Sequence, residues 1–121
     1  MDRTMERLVA LGSKVIVVQS PPRFEYDLRY DISLIGAKSV KESRNVVVGR
    51  GKEINEIEAK AIEKYEFVQP IVNFFDLFCD NTHCDPKKDG KFMFEDDDHL
   101  SVDGSLYISP VLQEAIHKAL N

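Results

Sequence analysis

With 121 residues, 43% hydrophobic and 31% charged, and a net charge of −5, the chain can form one globular unit with a modest core. The charge is uneven: residues 1–64 carry 12 Lys/Arg against 10 Asp/Glu, and residues 65–121 carry 4 against 11, which argues against a nucleic-acid partner because backbone binding needs clustered cations. No apolar run reaches the ~18–20 residues of a membrane span, and Asp2, Arg3, Glu6 and Arg7 interrupt the N-terminal apolar stretch, so neither a span nor a signal peptide is expected.

In chain order, Met1, Met5, Leu8 and Leu11 mark a first helix that Gly12 should end. Lys14 to Val18 is a continuous β-branched run, the pattern of a strand buried on both faces, and Gln19-Ser20-Pro21-Pro22 stops it. In layered α/β folds ligands collect at such strand ends. Residues 20–50 read as a long surface connection, including the basic stretch around Val46-Val47-Val48. Gly51 to Tyr65 is the clearest helix, with Ile54, Ile57, Ala61, Ile62 and Tyr65 forming one apolar stripe. Glu66 to Pro70 reads as a short strand, Ile71 to Phe78 as a helical turn over the core, and Lys91 to Phe94 as a brief strand. Ser101 is placed to cap a last helix that buries Leu112, Ala115, Ile116, Ala119 and Leu120, and Pro110 should kink or restart it. The order helix, strand, helix, strand, helix favours a three-layer α/β/α arrangement on a parallel sheet. Cys79 and Cys84 form a close pair that suits a small disulfide-closed loop and suits equally two reduced thiols.

The stretch with chemical content is Phe94 to Ser105, which sets Asp96 three residues before His99, followed by Leu100-Ser101 and Gly104. A hydroxyl nucleophile at neutral pH needs a base, and imidazole, with an unperturbed pKa of ~6.5, suits that role. A carboxylate on the other ring nitrogen orients it and stabilises the imidazolium that forms. Three residues of separation on a tight turn can bring both side chains together. The string Asp-x-x-His-Leu-Ser-x-x-Gly, the Lys14–Val18 strand with its Pro-containing loop, and the Cys79…Cys84 pair in a Phe-Cys-Asp context resemble the SGNH domain fused to acyltransferase-three membrane proteins, and more loosely the GDSL lipases and esterases.

That resemblance implies a flavodoxin-like parallel sheet and acyl transfer or ester hydrolysis on an O-acylated glycan or lipid. It makes Asp96 and His99 two members of a Ser-His-Asp triad and gives Cys79–Cys84 a structural role. It also implies a membrane acyltransferase domain in the parent protein, an extracytoplasmic or lumenal location, and no cofactor or metal. The chain departs from the family at the nucleophile. None of its serines lies in a Gly-Asp-Ser context, no Gly-x-Asn is present, and Ser101 and Ser105 suit capping or packing better than attack. Residues 1–121 are therefore expected to be the C-terminal part of a single SGNH domain, incompetent alone. The competing readings are a non-catalytic remnant or interaction module, or a metal site drawn from Glu95 to His99 or from Cys79, His83, Cys84 and His99.

Overall fold

The computed structural model describes residues 2–25, 40–65 and 71–121. Helix α1 (Asp2–Ala10) closes as its sequence requires: Gly12 adopts φ +73°, its N–H donates to the Val9 carbonyl, and the Ser13 N–H donates to Leu8. This pair of bonds satisfies the last carbonyls and turns the chain through a left-handed residue that glycine tolerates best. Strand β1 is Val17–Val18, shorter than the Lys14–Val18 run suggests.

After β1 the chain reaches β2 (Glu42–Ser43) and α2 (Arg44–Arg50), which Gly51 joins to α3 (Lys52–Lys64). Helix α2 replaces the expected surface connection. Its three consecutive valines are poor helix formers, but Val47 is wholly buried in the main core, and that burial outweighs propensity. Strand β3 (Ile71–Val72) leads into α4 (Phe75–Phe78), then β4 (His83–Cys84), β5 (Lys87–Lys88) and β6 (Lys91–Phe92). The final helix is α5 (Val102–Leu120). The strand expected at Glu66 to Pro70 lies outside the described residues.

Three two-stranded pairings result. β1 runs parallel to β3 with Val17 opposite Ile71, while β2–β4 and β5–β6 are antiparallel. Of the expected three-layer arrangement on a parallel sheet, the described residues show one short parallel pair, and the rest of their strand content is antiparallel. What holds is a mixed α/β fold with side chains of the β1 segment feeding two separate clusters. Val17, with Val15 beside it, packs with Met5, Val9, Ile62 and Tyr65 from α1 and the end of α3. Ile16 packs against the larger cluster of Phe24, Val47, Val72, Phe78, Phe94 and Ile108.

Two apolar stripes are only partly used. Ile54 and Ile57 stay half exposed on α3, while Ala61 and Tyr65 further along the same stripe are buried. On α5, Ala115 is buried while Ile116 and Leu120 are exposed. Helix α5 also runs through Pro110 without the expected restart. Ile108 and Ala115, on either side of the proline, are buried in the same core, so packing keeps both halves in one helix. No helix among the described residues is long and apolar enough to cross a membrane.

The start of α5 is pinned with little tolerance. Ser101 Oγ accepts the Gly104 N–H at 3.0 Å and donates to the Phe92 carbonyl at 2.7 Å, while the Ser101 N–H donates to Met93. A Cβ at Gly104 would lie 1.9 Å from that Met93 carbonyl oxygen. Ser101→Ala should cost about 1–2 kcal/mol for the lost cap, and Gly104→Ala about 2–4 kcal/mol, since backbone rather than a flexible side chain must move. Urea denaturation of both variants checks the order; equal, small losses would show that the helix start can shift freely.

Candidate active site

The loop from Met93 to Ser101 is a closed structure made by its own backbone. Phe94 and Leu100 form an isolated antiparallel bridge, and the Glu95 N–H donates to the His99 carbonyl at 2.8 Å. Phe94 is 1% exposed and roots the loop, meeting Phe24 and Phe78 edge to face at 5.0 and 4.9 Å between ring centroids. Such aromatic pairs contribute about 0.5–1.5 kcal/mol beyond their buried area.

Within this loop the three consecutive aspartates do different work. Asp96, 6% exposed, turns its carboxylate inward. Its Oδ1 accepts the N–H groups of Asp98 at 3.0 Å and His99 at 2.7 Å, and His99 Nδ1 lies 3.0 Å from Oδ1 and 2.9 Å from Oδ2. Asp97 ties the loop to the segment after β1: its carbonyl accepts the Phe24 N–H at 2.8 Å and its carboxylate pairs with Arg23 Nε at 3.1 Å. Asp98 places Oδ1 3.0 Å from the same His99 Nδ1. A carboxylate can only accept, so Nδ1 between them carries the proton and Nε2 is left as the basic nitrogen. The imidazole is 75% exposed, open to a reacting group.

Electrostatics follow from this geometry. Burial alone would raise the Asp96 carboxyl, but the N–H groups of Asp98 and His99 together with the imidazole outweigh it and hold the pKa at about 2. The Asp96 hydrogen bond, then the charges of Asp96 and Asp98, raise His99 above its ordinary 6.5.

A second Asp-x-x-His turn shows which part of the arrangement is local. Asp80 Oδ1 accepts the N–H groups of Thr82 at 2.8 Å and His83 at 2.7 Å, and those bonds, with the Thr82 hydroxyl, hold its pKa at about 2. The His83 ring, however, sits 2.9 Å from Thr82 Oγ1 instead of contacting the carboxylate. The backbone turn is therefore a property of aspartate three residues ahead, whereas the imidazole–carboxylate contact is particular to the Asp96 loop. Cys79 and Cys84 close the Asp80 loop as a disulfide with S–S 2.08 Å, which removes both as thiolate ligands for a metal. Asp96, Asp98 and His99 do bring donor atoms within 4.8 Å of one another.

Two adjoining clefts lie at the C-terminal ends of the parallel strands, and Asp98 borders one of them. The smaller is lined by Ser20, Asn55 and Phe75 and reaches Asp98; the larger, of about 220 Å³, shares those three and adds Gln19, Arg44 and Asn73. The two residues expected to act, Asp96 and His99, are in contact, and Ser101 caps the last helix as expected. Asp97, Asp98, Arg23 and the cleft residues were hidden in the sequence: the aspartates merge into one acidic run, and the others are distant along the chain.

The family model for the SGNH domain fused to AT3 domains matches residues 1–114, and the chain belongs to that family. No curated protein and no solved structure matches it.

The sign of the pH dependence is fixed by the two shifts. The Asp96 contribution to stability is fully present above its ordinary 3.8 and is lost as pH falls through about 2. The His99 contribution is fully present below 6.5 and is lost as pH rises through its raised value. The pair therefore contributes most between 3.8 and 6.5. In an NMR titration His99 should titrate above 6.5, and Asp96→Asn should bring it down toward that value; an unchanged titration would show that the contact is not maintained in solution.

Proposed function

We propose, on the premise of SGNH family membership, that this chain is the base-bearing C-terminal portion of an acyltransferase or esterase domain. It would act on an O-acylated glycan or lipid through a serine acyl-enzyme. The observation that carries the reading is the Asp96–His99 contact, with Nδ1 held by carboxylate and Nε2 exposed on an open imidazole. In this mechanism His99 Nε2 takes the proton of a serine hydroxyl as it attacks the acyl carbonyl, and then delivers it to the departing oxygen. In the second half His99 deprotonates an acceptor hydroxyl or water, and attack on the acyl-serine releases the enzyme. Asp96 keeps the imidazole in one orientation and balances its charge throughout. The serine comes from a Gly-Asp-Ser segment that these 121 residues do not contain.

The short parallel pair is, on the same proposal, part of a wider three-layer sheet. The two clusters fed by the β1 segment support it, since a strand with apolar packing on both faces suits a sheet interior. The Cys79–Cys84 disulfide supports an oxidising, extracytoplasmic or lumenal setting, with the membrane acyltransferase domain as covalent partner. Absence of the Gly-Asp-Ser block favours one alternative, a remnant that keeps the fold and has lost the chemistry.

A serine-directed fluorophosphonate probe separates these. The 121-residue chain should not label; a fusion that supplies the Gly-Asp-Ser segment ahead of it should, and His99→Ala in that fusion should slow labelling by about 10³-fold or more. Labelling of the chain alone would mean that one of its own serines is activated. A folded fusion that stays unlabelled would establish the remnant.

A further inference from the structure

The double cleft, which Asp98 borders at one end, has a chemistry of its own. Its floor is Phe75, and around it stand three carboxamides and one guanidinium: Gln19, Asn55, Asn73 and Arg44. Donors are over-represented on this wall. Asn73, which lines the cleft, accepts the Phe75 N–H on Oδ1 at 2.8 Å, so its NH₂ group is not the end committed to that bond. Ser20 Oγ donates to Glu58 at 2.5 Å, and the Ser20 N–H donates to the same carboxylate, so the Glu58 charge is turned onto the protein. Asn55 packs over Gly51, where an added Cβ would come within 3.2 Å of its Nδ2; the glycine leaves room for that amide.

Arg44 is the cation of this wall and is held in place from behind. Its N–H donates to the Thr82 carbonyl at 2.9 Å and its Nη1 to the Asp80 carbonyl at 3.0 Å, both in the loop that the Cys79–Cys84 disulfide closes. Its Nη2 is 3.6 Å from Asp76, a carboxylate 81% exposed, so that ion pair is long and solvated and contributes little. With its main chain tied to Thr82, and its guanidinium held by the Asp80 carbonyl and lying 6.0 Å from the Phe75 ring centroid, Arg44 presents its remaining donors at a reduced entropic cost of ordering the side chain.

We propose that this cleft binds a polyhydroxylated ligand carrying an oxyanion, with the carboxylate or phosphate at Arg44 and the sugar hydroxyls on Gln19, Asn55 and Asn73. Resting on the acyl-transfer reading above, the ligand is the acyl acceptor. Its far end lies toward Asp98, whose carboxylate shares the His99 nitrogen, and a neutral hydroxyl suits that acidic end better than a second anion. The disulfide loop then has a function beyond stability, since it positions the residue that reads the anion.

The test is NMR titration of the isotope-labelled, disulfide-intact 121-residue chain with galacturonate, galactose 6-phosphate and galactose, with no acyl donor present. At least one charged sugar should shift the side-chain amide signals of Gln19, Asn55 and Asn73 and the Arg44 Nε–H, and should bind about tenfold or more tightly than galactose, the scale of a charged hydrogen bond. Preference for galacturonate assigns a carboxylate, and preference for the phosphorylated sugar assigns a phosphate. Arg44→Gln should weaken that binding about tenfold. Should Arg44→Gln unfold the loop it anchors, Asn55→Asp, which adds a repelling charge on a helix surface, should weaken it instead. Galactose binding as well as either charged sugar, or no shift with any of the three, overturns the proposal, as does undiminished binding in the folded variants. None of these readouts uses serine chemistry, so a failed labelling experiment leaves them standing.

Discussion

The Asp96 carboxylate is the constraint on which the rest of the site depends. A buried anion must be surrounded by donors or it will not stay ionised, and this one collects two backbone N–H groups and an imidazole. Those backbone bonds shape the turn, and in this loop, unlike the matching turn at Asp80, the ring also lies on the carboxylate. The same carboxylate thus holds both the turn and the His99 ring.

Such a loop needs a rigid root. Phe94 supplies it from below, wedged between Phe24 and Phe78, and Asp97 supplies it from the side through Phe24 and Arg23. Helix α5 completes the frame, because Ser101 and Gly104 press its first turn against the Phe92 and Met93 carbonyls. The Leu-Ser-x-x-Gly that follows the histidine therefore reads as a docking device: the serine is a cap bonded in two directions, and the glycine is the residue whose missing Cβ permits the contact. The disulfide loop repeats the logic with different partners. Its turn is built by Asp80 in the way Asp96 builds the other, but its carbonyls are directed at Arg44.

Legibility followed the range of the interaction. The Gly12 helix end, the Ser101 cap and the Asp96 turn were all readable, since each is settled within a few residues. The matching turn at Asp80 leaves its histidine ring off the carboxylate, so the spacing alone does not settle the Asp96–His99 contact. Helix α2 was not, because three valines argue for another conformation and only the burial of Val47 against distant aromatics reverses that preference. The extent of the parallel pairing was not legible either, because a β-branched run announces a buried strand without naming its partner or register; the described residues show one short pair. Nor did the partly exposed faces of α3 and α5 show in their periodicity, which marks a stripe but not how much of it finds a partner.

By itself the sequence determined the chemistry available: an aspartate and a histidine at a spacing that makes a turn, a glycine where a helix must approach a carbonyl, and no serine in a nucleophile block. Tertiary structure alone decided how that chemistry is arranged. It paired Asp97 with Arg23 while Asp96 and Asp98 share His99, joined Cys79 to Cys84, and gathered Gln19, Arg44, Asn55 and Asn73 around one cleft. The physical reason is that residue type and short spacing set local hydrogen bonds, whereas partners distant in sequence meet only when the core is packed.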